Sequence, residues 1–576
     1  IKETRAFHHR LCGIRVLDPA CGSGNFLYVT LEHMKRLEGE VLELVESFGD
    51  NMRLDLAGET VDPHQFLGLE LNPRAASVAE LVLWIGHLQW HHRNRGSTEW
   101  PEPVLHAFHN IECRDAVLAY DGKPQPITLT MAERKPRLPG VSDNIVSMYR
   151  EIVNGFYCES KEREDGSFTK VPVFAYENPR AADWPQADFI VGNPPFIGNK
   201  RMRDDLGSGY VETLRRVYPA TLEASDFVMF WWHKAAELVR SGKCRRFGFI
   251  TTNSIRQSSN RQVLRHHLIQ LNETRTTPPL ALRMAIPDHP WVESAEGAAV
   301  RIAMTVAGLK KPDRSGELRR VIAENPTEDG EVLVRLEFAR GVIHPDLTVG
   351  ADIGSMPAMK ANDGLSFMGV TLVGDFTIAP EELSELGLGG KKKPDVVKSY
   401  LIGKDLTQIP RGVDLIDFFG LEEDQARKNY PELFERLLTT VKPLRDHNKR
   451  DSYRLKWWIF GEPRTAMRAA LADLPRYIAT PETSKHRFFV FVPAGVVLDH
   501  SAFAFGTDDA FHLGVLSSRM HIVYSLVAGS RLGVGNDPRY RNGNCFDPFP
   551  FPECTEVQKE KIRQLAEELD AHRKRA

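Results

Sequence analysis

Residues 14 to about 310 alternate short apolar runs with longer stretches whose apolar positions recur at helical spacing. That alternation is the pattern of a parallel sheet with crossover helices. It predicts strands at Ile14–Leu17, Phe66–Leu69, Phe189–Val191 and Phe247–Thr251, and helices at Phe26–Val45, Ala75–His91, Phe227–Val239 and Arg261–Leu268. The expected fold class is α/β, with a doubly wound, Rossmann-like sheet. From about Tyr120 to Pro185 the chain is rich in Pro, Lys, Glu and Gly and has no clear period, so an excursion between two strands is expected there. Past Lys310 the texture changes to Pro- and Gly-punctuated strands, then the charged run Gly390–Pro394 and the aromatic and basic clusters Tyr453–Trp458 and Lys485–Phe489. The expected domains are therefore 1–310, 311–550 and a charged amphipathic helix within 551–576.

A chain of 576 residues is too long for one core and fits two or three domains. With 42% hydrophobic and 26% charged residues it is neither fibrous nor wholly disordered. No run of about 18 apolar residues appears, so no membrane span is expected. The start, Ile1–Arg5, has neither a Met nor the layout of a secretion signal, and the chain reads as cytoplasmic and as a piece of a longer protein. Seven cysteines at 12, 21, 113, 158, 244, 545 and 554 include no C-x-x-C pair, which argues against a disulfide framework and a zinc ribbon. Buried, reduced thiols are expected, and no metal site. A net charge of −3 gives no global attraction for nucleic acid. Locally, Lys200 to Arg265 holds thirteen Lys or Arg against six Asp or Glu, a candidate DNA-facing patch.

The chemistry concentrates at predicted strand ends. After Asp188–Gly192 stands Asn193-Pro194-Pro195-Phe196, which combines an amide, a proline-fixed carbonyl and an aromatic face. That set suits a flat base bearing an exocyclic amine, although Asn-Pro and Pro-Pro are also ordinary turn signals. The first strand runs into a turn carrying Asp18, Ala20, Gly22, Gly24, Asn25 and Phe26, where Gly22 and Gly24 let a ligand approach the backbone. A third spaced glycine and the Lys-Ser/Thr of a phosphate loop are both missing, and Asp18 instead offers a negative charge to a cationic, amine-bearing ligand. Glu70, followed by Asn72, stands where a Rossmann-like sheet presents a carboxylate to ribose hydroxyls. Asp115, beside Ala116, is a candidate acceptor for an adenine amine.

In this order, Asp18–Leu27, Gly68–Pro73, the Asp115–Ala116 run and Val191–Phe196 resemble the S-adenosylmethionine-dependent N6-adenine DNA methyltransferases of the gamma arrangement. Ala224–Phe227, Gly248–Ile255 and Gly297–Ile302 continue the resemblance. Pro475–Pro481 and Phe511–Arg519 are similar to the recognition half of large single-chain methyltransferases of BREX and DISARM phage-defence systems and of fused restriction enzymes. The resemblance implies a class I methyltransferase fold and a C-terminal α+β target-recognition domain. It implies S-adenosyl-L-methionine as cofactor, held by Asp18, Ala20, Gly22, Gly24, Asn25, Phe26, Glu70, Asn72, Asp115, Ala116 and Asn193. Double-stranded DNA is the expected partner, with other defence-system subunits beside it. Two departures stand out. Only thirteen residues precede Ile14, so part of the methionine pocket is expected outside this sequence, and Tyr540–Phe546 sits where relatives are often threonine-rich.

Methylating a base in a duplex requires swinging it out, at a cost of a few kcal/mol. Stacking on Phe196 would return about 1 to 3 kcal/mol. Asn193 through its side-chain oxygen and Pro194 through its carbonyl would accept both amine hydrogens. A cytosine-C5 mechanism needs a nucleophilic Cys after Pro, and no Pro-Cys pair exists. N4-cytosine stays open on chemistry alone. The nuclease-like spacings Glu133–Lys135 and Glu159–Lys161 are at chance level. In the second domain Arg454, Lys456, Lys485 and Arg487 are candidates for phosphate or groove contacts, whereas Trp457 and Trp458 read as core. An RNA or protein-glutamine methyltransferase and a non-catalytic DNA-recognition subunit remain the alternatives.

Overall fold

The computed structural model describes residues 1–48, 60–95, 110–128, 152–153, 156–162, 168–269, 277–291, 300–310, 315–326, 332–353, 356–388, 393–446, 448, 450–532 and 537–575. They fall into two compact units, Ile1–Ala351 and Asp352–Ala576.

The first unit begins α1 (Lys2–Cys12), β1 (Val16–Asp18), α2 (Asn25–Ser47), β2 (Phe66–Glu70), α3 (Pro73–Arg95) and β3 (Ile111–Cys113). The excursion follows as β4 (Leu118–Pro126), β5 (Ile152–Val153), β6 (Phe156–Glu162), β7 (Phe168–Pro172) and β8 (Phe174–Ala181). The chain then forms β9 (Phe189–Gly192), α4 (Met202–Leu206), α5 (Ser208–Val217), α6 (Val228–Arg240), β10 (Arg246–Thr252) and α7 (Ser258–Leu268). It closes with β11 (Leu280–Trp291), β12 (Val300–Leu309), β13 (Gly316–Pro326) and β14 (Val332–Gly341).

Nine of these strands make one sheet in the order β14-β13-β11-β12-β10-β9-β1-β2-β3. The inner five, β10 to β3, pair in parallel, and β12 runs against both of its neighbours. Neighbouring residues of one strand enter different cores. Leu17 and Ile190 join Met229 and Trp232 of α6, while Val16, Phe189 and Val191 pack with Leu27 and Leu31 of α2. Strands covered on both faces are apolar throughout, which is why they read as continuous runs. On α2 the buried Leu27, Leu31, Met34, Val41 and Val45 form a single stripe, and each such side chain contributes roughly 1.5 to 3 kcal/mol.

Two expectations shift. The first unit extends past 310 because β13 pairs with β11 at Met284↔Glu317 and Ala285↔Leu318, and β14 pairs with β13. Residues along β14 alternate between half-buried and exposed, so the change of texture at Lys310 marks a solvated sheet edge. The excursion is also more regular than its composition suggests. β4 and β8 pair from Leu118↔Ala181 to Pro126↔Phe174, and β5, β6 and β7 make a small antiparallel sheet. Glu133–Lys135, Gly297–Ala299 and Gly390–Lys392 lie outside the described residues.

The second unit holds two four-stranded sheets. One orders β15 (Ser366–Met368), β22 (Ala502–Phe505), β19 (Arg476–Pro481) and β20 (Val490–Pro493). The other orders β16 (Thr377–Ile378), β18 (Asp414–Ile416), β17 (Val397–Leu401) and β21 (Val497–Leu498). Trp457 and Trp458 are core, as expected. Arg445 is fully buried and donates to the carbonyls of Leu372, Val373, Tyr453 and Ile459. The terminal helix α11 (Glu556–Arg575) belongs to this unit, closing on α9 (Ala510–Ser517), with α8 (Pro431–Thr440) and α10 (Arg519–Ala528) elsewhere in it. Gly514 permits that approach, since a Cβ there would sit 2.6 Å from Ile562. No described helix is long and apolar enough to cross a membrane.

Candidate methyl-transfer site

Strand order reverses at β1: the chain moves through β2 and β3 on one side and β9 and β10 on the other. The carboxyl ends of strands at such a switch point form the binding crevice of open α/β sheets. β1 ends at Asp18 and β9 ends at Gly192, directly before Asn193.

Asp18 is buried. Its Oδ1 accepts from Ala20 N at 3.0 Å, while its Oδ2 has no hydrogen-bond partner. Burial pushes its carboxyl up to about 7, the Ala20 N–H pulls it down, and the charge of Glu70 adds to the rise. A Cβ at Gly192 would fall 2.5 Å from Asp18 Oδ1, so the end of β9 and the end of β1 touch. The glycine turn has Gly22 at φ +53° and Gly24 at φ +88°, and a Cβ on Gly24 would crowd Ala79 of α3 at 3.1 Å. Gly24 leads directly into Asn25, which is exposed, and Phe26, which is half-buried. Trp231 of α6 fastens the turn by donating Nε1–H to Pro19 O at 2.9 Å.

Glu70 reaches the same turn. Its Oε2 accepts from Gly22 N at 2.9 Å and its Oε1 from Asn72 N at 2.8 Å. Asn72, expected against the cofactor, caps α3 through its Oδ1, which accepts from Arg74 N and Ala75 N. Asp115 is also occupied. Its Oδ1 accepts from Val117 N and Leu118 N, and its Oδ2 from the Tyr210 hydroxyl at 2.7 Å. Burial, with Asp115 beside it, drives the Tyr210 hydroxyl well above its ordinary pKa and keeps it a donor. Ala116 is buried and accepts from Trp184 Nε1–H.

Asn193 Oδ1 is buried and lacks a partner. Leaving a buried acceptor unpaired costs about 1 to 3 kcal/mol, a cost typical of a group kept for a ligand. Pro194 is buried, Pro195 exposed, and Phe196 half-buried against the main core. The loop is held from behind by Asp226. Asp226 Oδ1 accepts from Asn199 N at 2.9 Å, and its Oδ2 from Ser254 Oγ at 2.6 Å and Asn260 Nδ2 at 2.7 Å. Phe227 N donates to Ile197 O. Tyr210 and Asn260 carry no local signature, and neither was expected at the site.

The chain's family follows from comparison with known proteins. A model described as "MmeI, DNA-methyltransferase domain" matches residues 1–320, and one described as "MmeI, target recognition domain" matches 357–553. The chain belongs to the MmeI DNA-methyltransferase family. DNA methyltransferase A of Bacillus subtilis (strain 168) is 21% identical over 580 residues, covering 97% of this chain and 55% of that protein. The chain thus spans about half the length of this curated relative. Among solved structures, the type IIL restriction-modification enzyme MmeI in complex with DNA matches with a TM-score of 0.65 at 20% identity, over 100% of this chain and 67% of that one. The DNA-bound type ISP enzyme LlaBIII matches with a TM-score of 0.39 at 10% identity, over 97% of this chain and 37% of that one.

Membership in the MmeI family makes the cations of both units worth sorting. Within Lys200 to Arg265, Arg203 and Arg215 pair with Glu212, Arg201 with Asp205 and Arg245 with Asp188 outside the stretch, so these four of the thirteen cations are held in ion pairs. Arg487 is buried and donates to Thr480 Oγ1 and to the carbonyls of Pro481, Glu482 and Pro538, which removes it from the DNA-contact candidates. Arg454 pairs with Asp451. Tyr540, in the segment that sits where relatives are often threonine-rich, is fully buried against Phe489 and His521.

Proposed function

We propose that the protein is a site-specific DNA methyltransferase that moves a methyl group from S-adenosyl-L-methionine to the N6 amine of a flipped-out adenine in double-stranded DNA. It would serve as the modification part of a restriction-modification or phage-defence system. The observation that carries this reading is that two unpartnered, buried acceptors, Asp18 Oδ2 and Asn193 Oδ1, stand at the carboxyl ends of the paired strands β1 and β9 at one switch point.

The residues fit the cofactor. Gly22 leaves open space where a Cβ would stand, Gly24 lets the turn pack on α3, Asp18 has a lone carboxylate oxygen for an amine, and Glu70 stands at the end of β2 for ribose hydroxyls. When bound, S-adenosylmethionine supplies an electrophilic methyl on a sulfonium. The protein's own work is positioning. Asn193 Oδ1 and the Pro194 carbonyl accept the two amine hydrogens, which holds the nitrogen lone pair out of conjugation with the ring. Phe196 offers a face for the base. The methylated amine is acidic and releases its extra proton to water, so no basic side chain is required beside Asn193. Beyond the loop a cleft of about 440 Å³ is lined by Asn199, Arg215, Thr221, Ser258 and Gln262, donors suited to backbone phosphates.

The test is transfer of labelled methyl from S-adenosylmethionine to duplex DNA, with the product base identified by mass spectrometry. The expected product is N6-methyladenine, and Asn193→Ala reduces transfer by about 100-fold or more while cofactor binding persists. N4-methylcytosine, or label in RNA or protein alone, overturns the assignment.

A further inference from the structure

On the back of the first unit, α1 places His8 and Cys12 one helical turn apart, facing Glu38 of α2. His8 and Glu38 are 1% and 2% exposed, and Cys12 is half-buried. Three separations define the group. His8 Nε2 lies 3.6 Å from Cys12 Sγ and 3.4 Å from Glu38 Oε1, and Cys12 Sγ lies 4.0 Å from Glu38 Oε1. Donors at zinc bond lengths of about 2.0 to 2.3 Å in a tetrahedron stand roughly 3.3 to 3.8 Å apart. The three donors are already near that spacing.

The surroundings orient the carboxylate as an outer shell does around a metal ligand. Glu38 Oε1 accepts from Val61 N at 2.9 Å, leaving a second lone pair directed at the group. Glu38 Oε2 accepts from Lys35 Nζ at 3.0 Å, and Lys35 also donates to Thr60 Oγ1 and lies over the Trp90 ring. The Lys35 ammonium thus sits on Oε2 while His8 and Cys12 approach Oε1, and its charge, which also reaches Cys12, favours the thiolate. A second cluster, His233, Glu237 and His267, lacks this arrangement. There Arg240 NH1 lies 3.3 Å from His267 Nδ1, and His267 Nε2 is hydrogen-bonded to His233 Nδ1 at 2.9 Å, so both ring nitrogens of His267 are taken.

We propose that His8, Cys12 and Glu38 bind a zinc ion that pins α1 to α2. Imidazole with thiolate selects zinc over the hard cations calcium and magnesium. These residues supply three ligands, and a water would complete a tetrahedral shell. Cys12 lies just before β1, so the ion would brace the strand that ends at Asp18. Binding releases the Cys12 thiol proton to solvent, and no redox step is involved.

The test is a cobalt titration of the chelator-stripped protein. One equivalent of Co²⁺ is expected to produce a thiolate-to-metal charge-transfer band, and Zn²⁺ should abolish it by displacement. Cys12→Ser should remove the band and weaken binding at least tenfold, whereas Cys113→Ser, at an exposed cysteine elsewhere, should leave both unchanged. Zn²⁺ should raise the Tm of the unaltered protein. Absence of the band from the unaltered protein overturns the proposal whether or not the variants fold. So does a band that survives Cys12→Ser.

Discussion

Cofactor affinity should depend on pH through Asp18. Its carboxyl is pushed up to about 7 because burial removes it from water and Glu70 stands nearby, with only the Ala20 N–H opposing. A cationic, amine-bearing ligand pairs with the ionised form. If binding requires that form, the apparent Kd rises about tenfold for each pH unit below 7 and levels off above it. At pH 6 about one Asp18 in eleven is ionised, so affinity is roughly tenfold below its plateau. The consequence for stability has the opposite sign. A folded-state pKa raised from 3.8 to about 7 means the native protein holds a proton that the unfolded chain has lost. Asp18 therefore lowers stability progressively as pH rises from about 4 to 7, by on the order of 4 kcal/mol in total. Asp18→Asn should raise the Tm of the ligand-free protein at pH 8 while weakening S-adenosylmethionine and flattening the pH dependence of Kd. Glu70→Gln, which removes one cause of the rise, should move the transition to lower pH. Calorimetric titrations from pH 5.5 to 8.5, repeated in buffers of different ionisation heat to count protons, decide the matter. A Kd that does not change over that range, with no proton released on binding, refutes the reasoning.

Gly192→Ala should cost about 1 to 3 kcal/mol in chemical denaturation and also impair cofactor binding, because its Cβ would lie 2.5 Å from Asp18 Oδ1. Asp226→Ala should lower kcat by about tenfold or more with cofactor Kd unchanged, since Asp226 holds Asn199, Ser254 and Asn260 and touches no ligand-facing atom of the turn. Ser258→Glu puts a negative charge in the cleft at the start of α7, where it favours the helix; duplex affinity should fall several-fold with no loss of Tm. Arg445→Met removes a donor from four carbonyls, of which Leu372 O keeps a bond from Gly461 N, and should destabilise the second unit by roughly 3 kcal/mol or more, seen as an earlier transition in urea for tryptophans of that unit.

What the sequence made legible was whatever the chain fixes over a few residues. β1, β2, β9 and β10 were readable because strands covered on both faces are short apolar runs, and α2 because its buried positions keep one stripe. The turn at Gly22 and Gly24 and the loop at Asn193 were readable because backbone chemistry restricts which residues can stand there. The antiparallel edge through β14 was not, since one solvated face makes a strand look like a change of domain. Nor were the partners that act across the fold. Tyr210 lies 95 residues from Asp115, and Asn260 lies 34 from Asp226, and no local pattern joins either pair.

Those long-range partners also divide the expected ligand residues by what they still have to offer. Asn72 Oδ1 caps α3, and Asp115 has both oxygens engaged by Val117, Leu118 and Tyr210. Glu70 accepts from the turn itself through Gly22 N, so it shapes the glycine turn before any ribose arrives. Asp18 Oδ2 and Asn193 Oδ1 alone among these residues are buried acceptors with nothing to accept. Each lowers the stability of the ligand-free protein, and on the proposed function each gains a donor from a ligand: Asp18 from the cofactor's amine, Asn193 from the base. The strand ends that carry them adjoin, since a Cβ at Gly192, the residue before Asn193, would fall 2.5 Å from Asp18 Oδ1, so a ligand seated at one acceptor should also exclude water from the other. The proposed cofactor and base should therefore bind with positive coupling, and the affinity for an adenine-containing duplex should rise when a non-reactive cofactor analogue is present. Equal duplex affinity with and without the analogue would separate the two acceptors energetically and remove this link.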